Sequence, residues 1–515
     1  MILGDILERN AHNRPEDTAL IFEGRRLTHA EFLIRAYRLT NALHDRGLAP
    51  GDRVAILARN RSEYMEVYAA CEVSGLIVVP LNHRLAVPEL LDIFRDAAAS
   101  ALIYAGDMAA EARSLAAEAR GLRLLLSLDD EGAEGYEALL ASAGPARPRQ
   151  RPSPEDAALI VYTSGSTGRP KGVIHTHASL LAGAIAGSHE GQARPDGVTL
   201  IVMPLFHIGG KIEALYFSLL GGTILLHAAF DEKAVLESIE REKATGAHLA
   251  PVMIQRLLDY PDFASYDLTS LTNVHYASAP MPVPLLRRAI SAFGPIFTQI
   301  YGSTECLGGT LLKPHEHVVE GSHGAVERLS SAGHPFLGND IRIARDDGSE
   351  CGAGEIGEVL FRGPSMMAGY WNNEAATRDA IRNGWLHMGD VGYLDDQGYL
   401  FIVDRKKDMI VSGGENIYSW EVEEAIRTHP DVAEAAVIAV PDAHWGEAVK
   451  AFVVLRAGCA LTAQDLVEHV RTRIASYKKP RSLEFVRELP RLHHGKIDKK
   501  ALRAPFWSNQ ARQVS

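Results

Sequence analysis

The first third of the chain alternates short apolar runs with longer segments in which apolar residues recur at helical spacing. The apolar runs are Arg53–Leu57, Leu76–Pro80 and Ala101–Tyr104, and helical patterns begin at Ser62 and Val87 between them. A helix between two short strands returns the chain to the end of the sheet at which the first strand began, so successive strands run parallel. The pattern therefore predicts βαβ units and a largely parallel sheet.

Three further segments of this region carry local structural signals. Thr28 and Glu31 have the spacing of a capping box, which predicts a helix that begins at Thr28. Residues Asp107 to Glu137 are rich in Ala, Glu, Arg and Leu, which predicts surface helix. Gly144–Pro154 is rich in proline and arginine and predicts an exposed linker. Its arginines suit either an anionic partner or, as the simpler account, a solvated connector.

Beyond Gly333 the pattern changes to short alternating runs that predict antiparallel strands. These runs are Ile341–Ala344, Gly357–Phe361 and the hairpin Leu394–Ile402, and the charged run Asp404–Asp408 follows them. The rest of the chain has the size of a small α+β domain. Helices are predicted there over 418–428 and 464–475, and strands over 435–440 and 451–455.

Length and charge restrict the classes of protein that fit. A chain of 515 residues is too long for one hydrophobic core, so we predict two domains, 1–404 and 405–515. A net charge of −12 argues against a nucleic-acid-binding surface over the whole chain. Four widely spaced cysteines offer neither a disulfide framework nor a zinc site. No apolar run has the length of a membrane span, and no secretory signal is evident, so we expect a cytoplasmic protein.

The segment with the most chemical information is Val161–Val173, which reads VYTSGSTGRPKGV. It combines hydroxyl side chains, glycines and the single lysine Lys171, directly after the apolar run Ala157–Tyr162, which predicts a buried strand. Glycines let backbone N–H groups approach a polyphosphate, and the lysine adds a mobile positive charge. The spacing matches neither the common P-loop nor the Rossmann fingerprint. Composition alone also fits a solvated loop, but the order and flanks of the residues favour a phosphate loop.

This segment resembles the phosphate loop of the adenylate-forming superfamily, which includes acyl-CoA synthetases, luciferases and adenylation domains of peptide synthetases. Four further segments resemble motifs of the same superfamily in the same order: 299–305, 384–390, 404–417 and 490–500. The resemblance implies an α/β fold with a large N-terminal domain of parallel-rich sheets, flanking helices and a β-rich subdomain. It also implies a small, mobile α+β C-terminal domain.

The resemblance implies a site for ATP. Tyr301 would stack on adenine, Thr304 would bond the α-phosphate, and Glu305 would hold Mg²⁺ together with phosphate oxygens. Asp390 and Arg405 would contact the ribose. Thr167 would also bind Mg²⁺. The other implied nucleotide contacts are Thr163, Ser164, Gly165, Ser166, Thr167, Gly168, Lys171, Ser278, Ala279, Pro280 and Gly302.

The resemblance also implies roles for residues near the C-terminus. Lys496 follows a glycine and precedes an isoleucine, as the catalytic lysine of the superfamily does. It would bridge the substrate carboxylate and the α-phosphate and stabilise the charge that develops in adenylation. Lys407 would be the pivot of the C-terminal domain, and pantetheine would pass along Ser412, Gly413 and Gly414.

Contacts to the acid and to CoA are implied less directly. His207 matches a position that borders the acyl pocket and gates passage toward CoA in acyl- and aryl-CoA synthetases. Amino-acid-specific relatives carry an aspartate near this position, and Phe206-His207 supplies no such charge, which counts against an amino acid. If the segment is a strand end, His207 and Gly209 face the pocket together. The resemblance places four residues near CoA: Arg84, Trp445, Lys479 and Arg481.

The identity of the acid stays open. Lys211 and Glu213 either contact the substrate or pair with each other on a helix. Four glycines predict a pocket that bulky side chains do not fill, which suits a medium- or long-chain fatty acid or an aryl acid: Gly209, Gly210, Gly308 and Gly309.

The activity implied by the resemblance is a two-step ligation. ATP and a small-molecule carboxylic acid give an acyl-adenylate and pyrophosphate, and the thiol of CoA then displaces AMP; ATP, Mg²⁺ and CoA are the cofactors. The alternatives are an enzyme that loads a separate carrier protein, a luciferase-like oxygenase, and a catalytically silent binding protein. The intact Lys171, Glu305, Asp390 and Lys496 count against the silent protein. The sequence leaves the oligomeric state open, with a homodimer among the alternatives.

Overall fold

The computed structural model describes residues 1–163, 170–277, 281–406, 408–412, 415–442, 445–491 and 496–507. The chain forms two compact units. The first contains Met1–Ile341 and Phe361–Leu386, and the second contains Arg342–Leu360 and the chain from His387 onward. Lys407 lies outside the described residues, so the pivot and the domain boundary at 404/405 stay predictions.

Helices and strands alternate along most of the described chain. The helices are α1 (Leu3–Asn13), α2 (His29–Asp45), α3 (Ser62–Ser74), α4 (Val87–Ala97), α5 (Ala109–Glu118), α6 (Tyr136–Ser142), α7 (His177–Glu190), α8 (Ile208–Ser218), α9 (Glu232–Glu242), α10 (Pro251–Leu258), α11 (Val283–Phe293), α12 (His323–Glu327), α13 (Glu374–Ala380), α14 (Ser419–Arg427), α15 (Ala463–Arg471) and α16 (Lys499–Trp507). The strands are β1 (Thr18–Phe22), β2 (Arg25–Thr28), β3 (Arg53–Leu57), β4 (Ile77–Pro80), β5 (Ala101–Tyr104), β6 (Leu124–Ser127), β7 (Ala157–Thr163), β8 (Lys171–Thr176), β9 (Val198–Ile201), β10 (Thr223–Leu226), β11 (Gly246–Leu249), β12 (Asn273–Tyr276), β13 (Phe297–Tyr301), β14 (Thr310–Leu312), β15 (His334–Pro335), β16 (Asp340–Ala344), β17 (Gly357–Arg362), β18 (Gly369–Tyr370), β19 (Ile381–Arg382), β20 (Trp385–Leu394), β21 (Leu400–Arg405), β22 (Ile410–Ser412), β23 (Glu415–Ile417), β24 (Val432–Asp442), β25 (Gly446–Leu455) and β26 (Ser482–Phe485).

Two parallel-rich sheets form the core of the first unit. Sheet A has the strand order β15-β14-β13-β12-β11-β9-β10-β1-β2, and its strands from β13 to β1 pair in parallel. Sheet B has the order β18-β8-β7-β4-β3-β5-β6, with parallel pairs from β7 to β6. The predicted βαβ units around Ser62 and Val87 are therefore confirmed. In such sheets ligands bind beyond the carboxyl ends of the strands, where β9, β11, β12 and β13 of sheet A end together.

The predicted capping box is also confirmed. The Thr28 hydroxyl accepts a hydrogen bond from the Glu31 N–H at 3.2 Å, and the Glu31 carboxylate accepts one from the Thr28 N–H at 2.8 Å. The prediction of surface helix from Asp107 to Glu137 is confirmed only in part, because Ala109–Glu118 forms α5 but the rest of the range contains a strand. Within this range Leu124–Ser127 forms β6, which pairs in parallel with β5 at the edge of sheet B and buries Leu126.

The proline- and arginine-rich segment 144–154 contains no helix or strand, as predicted for a linker. Two of its three arginines pair with acidic residues of α1. Nε of Arg147 donates to a carboxylate oxygen of Glu8 at 2.7 Å, and Arg151 pairs with Asp5. Because these guanidinium groups have partners within the first unit, the connector interpretation accounts for the segment without an anionic partner.

The second unit contains sheet D, whose order is β23-β22-β25-β24 with β26 in parallel on β25. Apolar residues of α14 and α15, such as Val422 and Leu466, pack against apolar residues of this sheet, such as Val437 and Val453. The predicted α+β arrangement is confirmed. In sheet C the hairpin of β20 and β21 is antiparallel, as its turn residues predicted. Among the described residues no helix is long and apolar enough to cross a membrane.

Four buried histidines give the first unit a defined dependence on pH. Burial lowers the pKa of His175, His177, His248 and His317 from 6.5 to about 4. The unfolded chain therefore binds more protons than the folded chain between these values. Each buried histidine therefore contributes up to about 3 kcal/mol to the free energy of unfolding. This contribution is fully present above pH 6.5 and is lost as the pH falls toward 4.

We therefore expect the urea midpoint to fall steadily from pH 6.5 to pH 4.5, measured by tryptophan fluorescence. His317→Gln should reduce this slope, whereas the control His12→Gln, at an exposed position, should not. A midpoint that stays constant over this range would contradict the assignment.

Candidate active site

The segment predicted to be a phosphate loop lies between two strands of sheet B. Thr163 ends β7 and Lys171 begins β8, and these two residues face each other across the antiparallel pair. The sequence between them holds the other predicted loop contacts, which lie outside the described residues: Ser164, Gly165, Ser166, Thr167 and Gly168.

A tyrosine that sequence reasoning missed connects the phosphate-loop lysine to the predicted magnesium ligand. Nζ of Lys171 lies 4.9 Å from the centre of the Tyr370 ring, within the range of a cation–π contact. The hydroxyl of Tyr370 donates to Oε1 of Glu305 at 2.9 Å. Burial, and then the nearby Glu305 carboxylate, raise the pKa of Tyr370, so its hydroxyl keeps its proton. Strand β18 places this ring by pairing with β8 at Val173.

A buried histidine holds the backbone next to Glu305. Nε2 of His175 lies 2.7 Å from the carbonyl oxygen of Thr304, and its Nδ1 lies 3.1 Å from Oγ of Ser179. A carbonyl only accepts, so Nε2 carries the proton, and burial keeps the ring neutral by lowering its pKa to about 4. Sequence analysis assigned no site role to His175. The structure instead makes it a positioning residue for the Thr304–Glu305 turn.

The turn after β13 is tightly folded. A Cβ atom on Gly302 would lie 2.2 Å from the carbonyl oxygen of Leu307, so only glycine fits this position. Leu307 itself has φ of 62°, a left-handed conformation that is strained for a branched side chain. Tyr301 is half-buried at the end of β13, and its carbonyl accepts a hydrogen bond from the Gly309 N–H at 2.9 Å. The predicted adenine and phosphate contacts thus lie on a constrained turn.

His207 does not lie at a strand end, which was the condition for His207 and Gly209 to face the pocket together. Strand β9 already ends at Ile201, and His207 is the residue that precedes α8. Its Nδ1 accepts a hydrogen bond from the Gly209 N–H at 3.1 Å, which caps the helix. The period-two argument for Gly209 therefore fails, because Gly209 lies in the first turn of a helix.

The glycine argument for an open pocket is also wrong at two positions. A Cβ on Gly210 would lie 2.9 Å from the carbonyl oxygen of Pro204, and one on Gly308 would lie 2.8 Å from the ring of Phe336. These glycines permit close packing of the protein itself.

Lys211 and Glu213 do not pair with each other. The ammonium of Lys211 pairs with the carboxylate of Glu72, and both side chains are buried. Glu213 accepts a hydrogen bond from Nδ1 of His275 at 2.8 Å and is also buried. Each charge of this helix therefore has a partner on a different element.

In the second unit the two predicted ribose contacts lie together. Asp390 and Arg405 are register partners in the β20–β21 hairpin, and Nε of Arg405 lies 2.8 Å from Oδ1 of Asp390. The carboxylate is buried and the guanidinium half-exposed. Arg405 thus orients Asp390.

The lysines near the C-terminus occupy different environments. Nζ of Lys499 lies 2.6 Å from Oγ of Ser419 and 2.7 Å from the carboxylate of Glu423, so it joins α16 to α14. Lys496 and Lys500 are exposed. The structure thus gives Lys499 a packing role and leaves Lys496 at the surface, and the catalytic role of Lys496 stays a prediction.

Of the predicted CoA contacts, two lie together in the second unit. The guanidinium of Arg481 lies 4.8 Å from the centre of the exposed Trp445 ring. Lys479 is half-buried, with Nζ 3.3 Å from Oγ of Ser476. Arg84 belongs to the first unit, where its guanidinium lies 5.8 Å from the Phe206 ring. Ser412 ends β22, and the remaining predicted contacts lie outside the described residues: Ser278, Ala279, Pro280, Gly413 and Gly414.

Comparison with known proteins identifies the class. The family model for the AMP-binding enzyme matches residues 7–371, and that for the AMP-binding enzyme C-terminal domain matches residues 421–496. The chain belongs to the AMP-binding enzyme family, whose members include AMP-forming acid–CoA ligases.

Individual relatives cover nearly the whole chain. A feruloyl-CoA synthase of an Amycolatopsis species is 40% identical over 98% of this chain and 99% of that protein. The fatty acid–[acyl-carrier-protein] ligase ScoC of Streptomyces coeruleorubidus is 35% identical over 98% of this chain and 96% of its own. The structure of o-succinylbenzoate CoA synthetase from Bacillus subtilis, in complex with an acyl-adenylate, has a TM-score of 0.84 at 32% identity and covers 99% of both chains.

The protein is therefore an acid–CoA ligase that forms AMP, with ATP, Mg²⁺ and CoA as cofactors. The donor set of the first unit suits the magnesium of MgATP. Glu305 presents a carboxylate, and Mg²⁺ binds one or two carboxylates together with phosphate oxygens and water. In the part of the chain that the structure describes, no cluster of three or more His, Cys, Asp or Glu side chains offers a separate metal site.

Proposed function

We propose that this enzyme activates an aryl or a medium- to long-chain carboxylic acid. The proposed active-site residues are Lys171, Thr304, Glu305, Asp390 and Lys496. The observation that carries this proposal is the Lys171–Tyr370–Glu305 arrangement. In this arrangement the Tyr370 side chain contacts both Lys171, a cation suited to phosphate oxygens, and Glu305, a carboxylate suited to magnesium.

In the first step an oxygen of the substrate carboxylate attacks the α-phosphorus of ATP. The bond from that phosphorus to the bridging oxygen breaks, and pyrophosphate leaves with the electron pair. Lys171 neutralises phosphate oxygens, and Lys496 neutralises the charge that develops between the carboxylate and the α-phosphate. His175 fixes the backbone at Thr304, so the groups that receive the α-phosphate are positioned before ATP binds.

In the second step the sulfur of CoA, as thiolate, attacks the carbonyl carbon of the acyl-adenylate. The carbon–oxygen bond to the phosphate breaks, and AMP leaves with the electron pair. The stacked Trp445 and Arg481 supply an aromatic face and a positive charge, a combination that suits the CoA nucleotide.

The test measures the release of pyrophosphate and of AMP from ATP and an acid, with and without CoA. An acid–CoA ligase releases AMP in multiple turnovers only when CoA is present. A second candidate, transfer to a carrier protein, is supported by the similarity to ScoC. It predicts turnover with a phosphopantetheinylated carrier in place of CoA. Equal AMP release without any thiol would contradict both functions.

Tyr370→Phe tests the arrangement that carries the proposal. The variant keeps the ring beside Lys171 and removes the hydrogen bond to the Glu305 carboxylate. Loss of a hydrogen bond to a charged group costs about 1.5–3 kcal/mol, so we expect adenylation to slow by about 10- to 150-fold. Thioester formation from supplied acyl-adenylate should change little.

Tyr136→Phe is the matched control, because the Tyr136 hydroxyl donates to Glu66 at 2.7 Å in the core, away from the proposed site. It should lower stability without selective loss of adenylation. If both variants slowed adenylation equally, Tyr370 would have no specific role.

A further inference from the structure

A buried polar cluster lies between α8 and sheet A. It consists of Glu213 on α8, His248 on β11 and His275 on β12, and we call it the Glu213–His248–His275 cluster. The two histidines are register partners, with ring centres 6.4 Å apart. Oε2 of Glu213 lies 2.8 Å from Nδ1 of His275 and 3.8 Å from Nδ1 of His248. The three residues are 1%, 6% and 3% exposed.

The cluster is continuous with the segment around His207. Gly209 and Glu213 are four residues apart on α8 and therefore share one face of the helix. A Cβ on Gly209 would lie 3.3 Å from Nδ1 of His207 and 3.4 Å from Cε1 of His248. One methyl group at position 209 would thus contact both His248 and His207, the residue at the proposed border of the acyl pocket.

The position along the strands supports the same location. His248 and His275 are each the third residue of a four-residue strand, near the carboxyl edge of the parallel sheet. Strand β13, next to β12, ends at Tyr301 of the predicted nucleotide segment. His275 therefore lies one strand, and His248 two strands, away from the strand that carries the predicted adenine contact, at the end of the sheet where ligands bind in such folds.

The hydrogen-bonding capacity of the cluster is incomplete. Within the described ranges, both ring nitrogens of His248 and Nε2 of His275 have no hydrogen-bond partner. A buried polar group without a partner costs about 1–3 kcal/mol, and folded proteins contain few of them. A polar group from outside the protein would remove this cost.

The charge of the cluster restricts which group fits. Burial lowers the pKa of His248 to about 4, so its neutral ring presents one N–H donor and one acceptor. Burial raises the pKa of Glu213, but its partner His275 and the hydroxyl of Thr199 place the pKa below its usual value. The ligand group therefore meets a neutral imidazole beside an ionised carboxylate.

We propose that His248 binds a hydroxyl group carried by the acid at the end remote from its carboxylate. The proposal rests on the proposed function, because it takes the acyl pocket to be next to His207. A hydroxyl both donates and accepts, as the neutral imidazole does. An alkyl end leaves the ring nitrogens unpaired, and a second carboxylate is repelled by Glu213.

The experiment uses three matched pairs of acids that differ only in a remote hydroxyl. They are 4-hydroxycinnamate and cinnamate, 4-hydroxyphenylacetate and phenylacetate, and 8-hydroxyoctanoate and octanoate. The readout is kcat/KM for AMP release with ATP and CoA. One buried hydrogen bond corresponds to a preference of about 5- to 150-fold for the hydroxylated acid in the pair that is used best.

Two variants separate recognition from folding. His248→Leu should bring the preference close to one, whereas Leu249→Met should retain it. Leu249 is a matched control, because it is buried in the same strand but packs with Ala247 into the core on the other face of sheet A.

A third variant tests the charge of the cluster. Glu213→Gln should raise the use of 4-carboxycinnamate relative to 4-hydroxycinnamate, because it removes the repelling charge without changing the size of the side chain.

The outcomes distinguish this inference from the proposed function. If AMP is released but the unsubstituted acid of every pair is used as well as its hydroxylated partner, the inference is wrong and the ligase function stands. If none of the acids supports AMP release in the presence of CoA, the proposed function and the inference both fail. An unchanged preference in a folded His248→Leu variant also overturns the inference.

Discussion

Lys496→Ala is expected to lower the rate of acyl-adenylate formation by about two to three orders of magnitude. Loss of one preorganised positive group in a site closed to water costs about 3–4 kcal/mol of transition-state stabilisation. The second half-reaction, started from supplied acyl-adenylate and CoA, should remain largely intact, because the proposed role of Lys496 is confined to the adenylating arrangement. Pyrophosphate release and thioester formation are measured separately.

The neighbouring lysines provide controls for this prediction. Lys500→Ala removes a charge from another exposed residue of the same tail and should leave both half-reactions unchanged. Lys499→Met should lower the stability of the second unit, because Lys499 neutralises the buried Glu423. Equal loss of both half-reactions in Lys496→Ala would contradict a role confined to adenylation.

The fold could be predicted where the signal is local. The apolar run Arg53–Leu57 forms β3 with the same bounds, and the Thr28 cap begins α2. The missed strand, β6, is short and lies at a sheet edge between segments rich in alanine and glutamate. Its apolar residues therefore resemble one turn of an amphipathic helix. Only pairing with β5, which the local pattern does not encode, makes this segment a strand.

The site could be predicted only where its residues lie in contiguous motifs. Tyr370 is 65 residues away from Glu305 in the sequence, and β18 brings it to Glu305 by pairing with β8. His275 and Glu213 are likewise 62 residues apart and meet because β12 packs against α8. Each of these residues taken alone is an ordinary core or surface residue, so their functions arise from the register and packing of the sheets.

The second large effect is expected at the proposed pivot. Contacts on either side of residue 407 connect to different parts of the second unit. Nζ of Lys406 lies 3.2 Å from the carboxylate of Glu358 on β17, and the Lys406 N–H donates to the Gly389 carbonyl of β20. Asp408 instead pairs at 2.5 Å with Arg503 of α16. A change in backbone angle at 407 would therefore turn α16 relative to the β20–β21 hairpin.

A buried side-chain contact crosses the proposed pivot and would limit this motion. Asp404, which precedes it, accepts hydrogen bonds at 2.5 and 2.8 Å from the N–H and hydroxyl of Ser419, which follows it. Both groups are buried. If residue 407 is the pivot, rotation about it breaks these bonds, and they belong to only one of the two proposed arrangements.

Lys407→Pro should therefore preserve adenylation and lower thioester formation from supplied acyl-adenylate and CoA by at least about 100-fold. Proline fixes φ near −65° and removes a backbone donor, so the chain at this position loses the second arrangement. Lys407→Ala is the matched control, because it removes the same side chain but leaves φ free. Both half-reactions should persist in the alanine variant. If the proline variant transferred acyl groups to CoA at the normal rate, the pivot would lie at another residue, and Asp404–Ser419 would be a permanent contact of the fold.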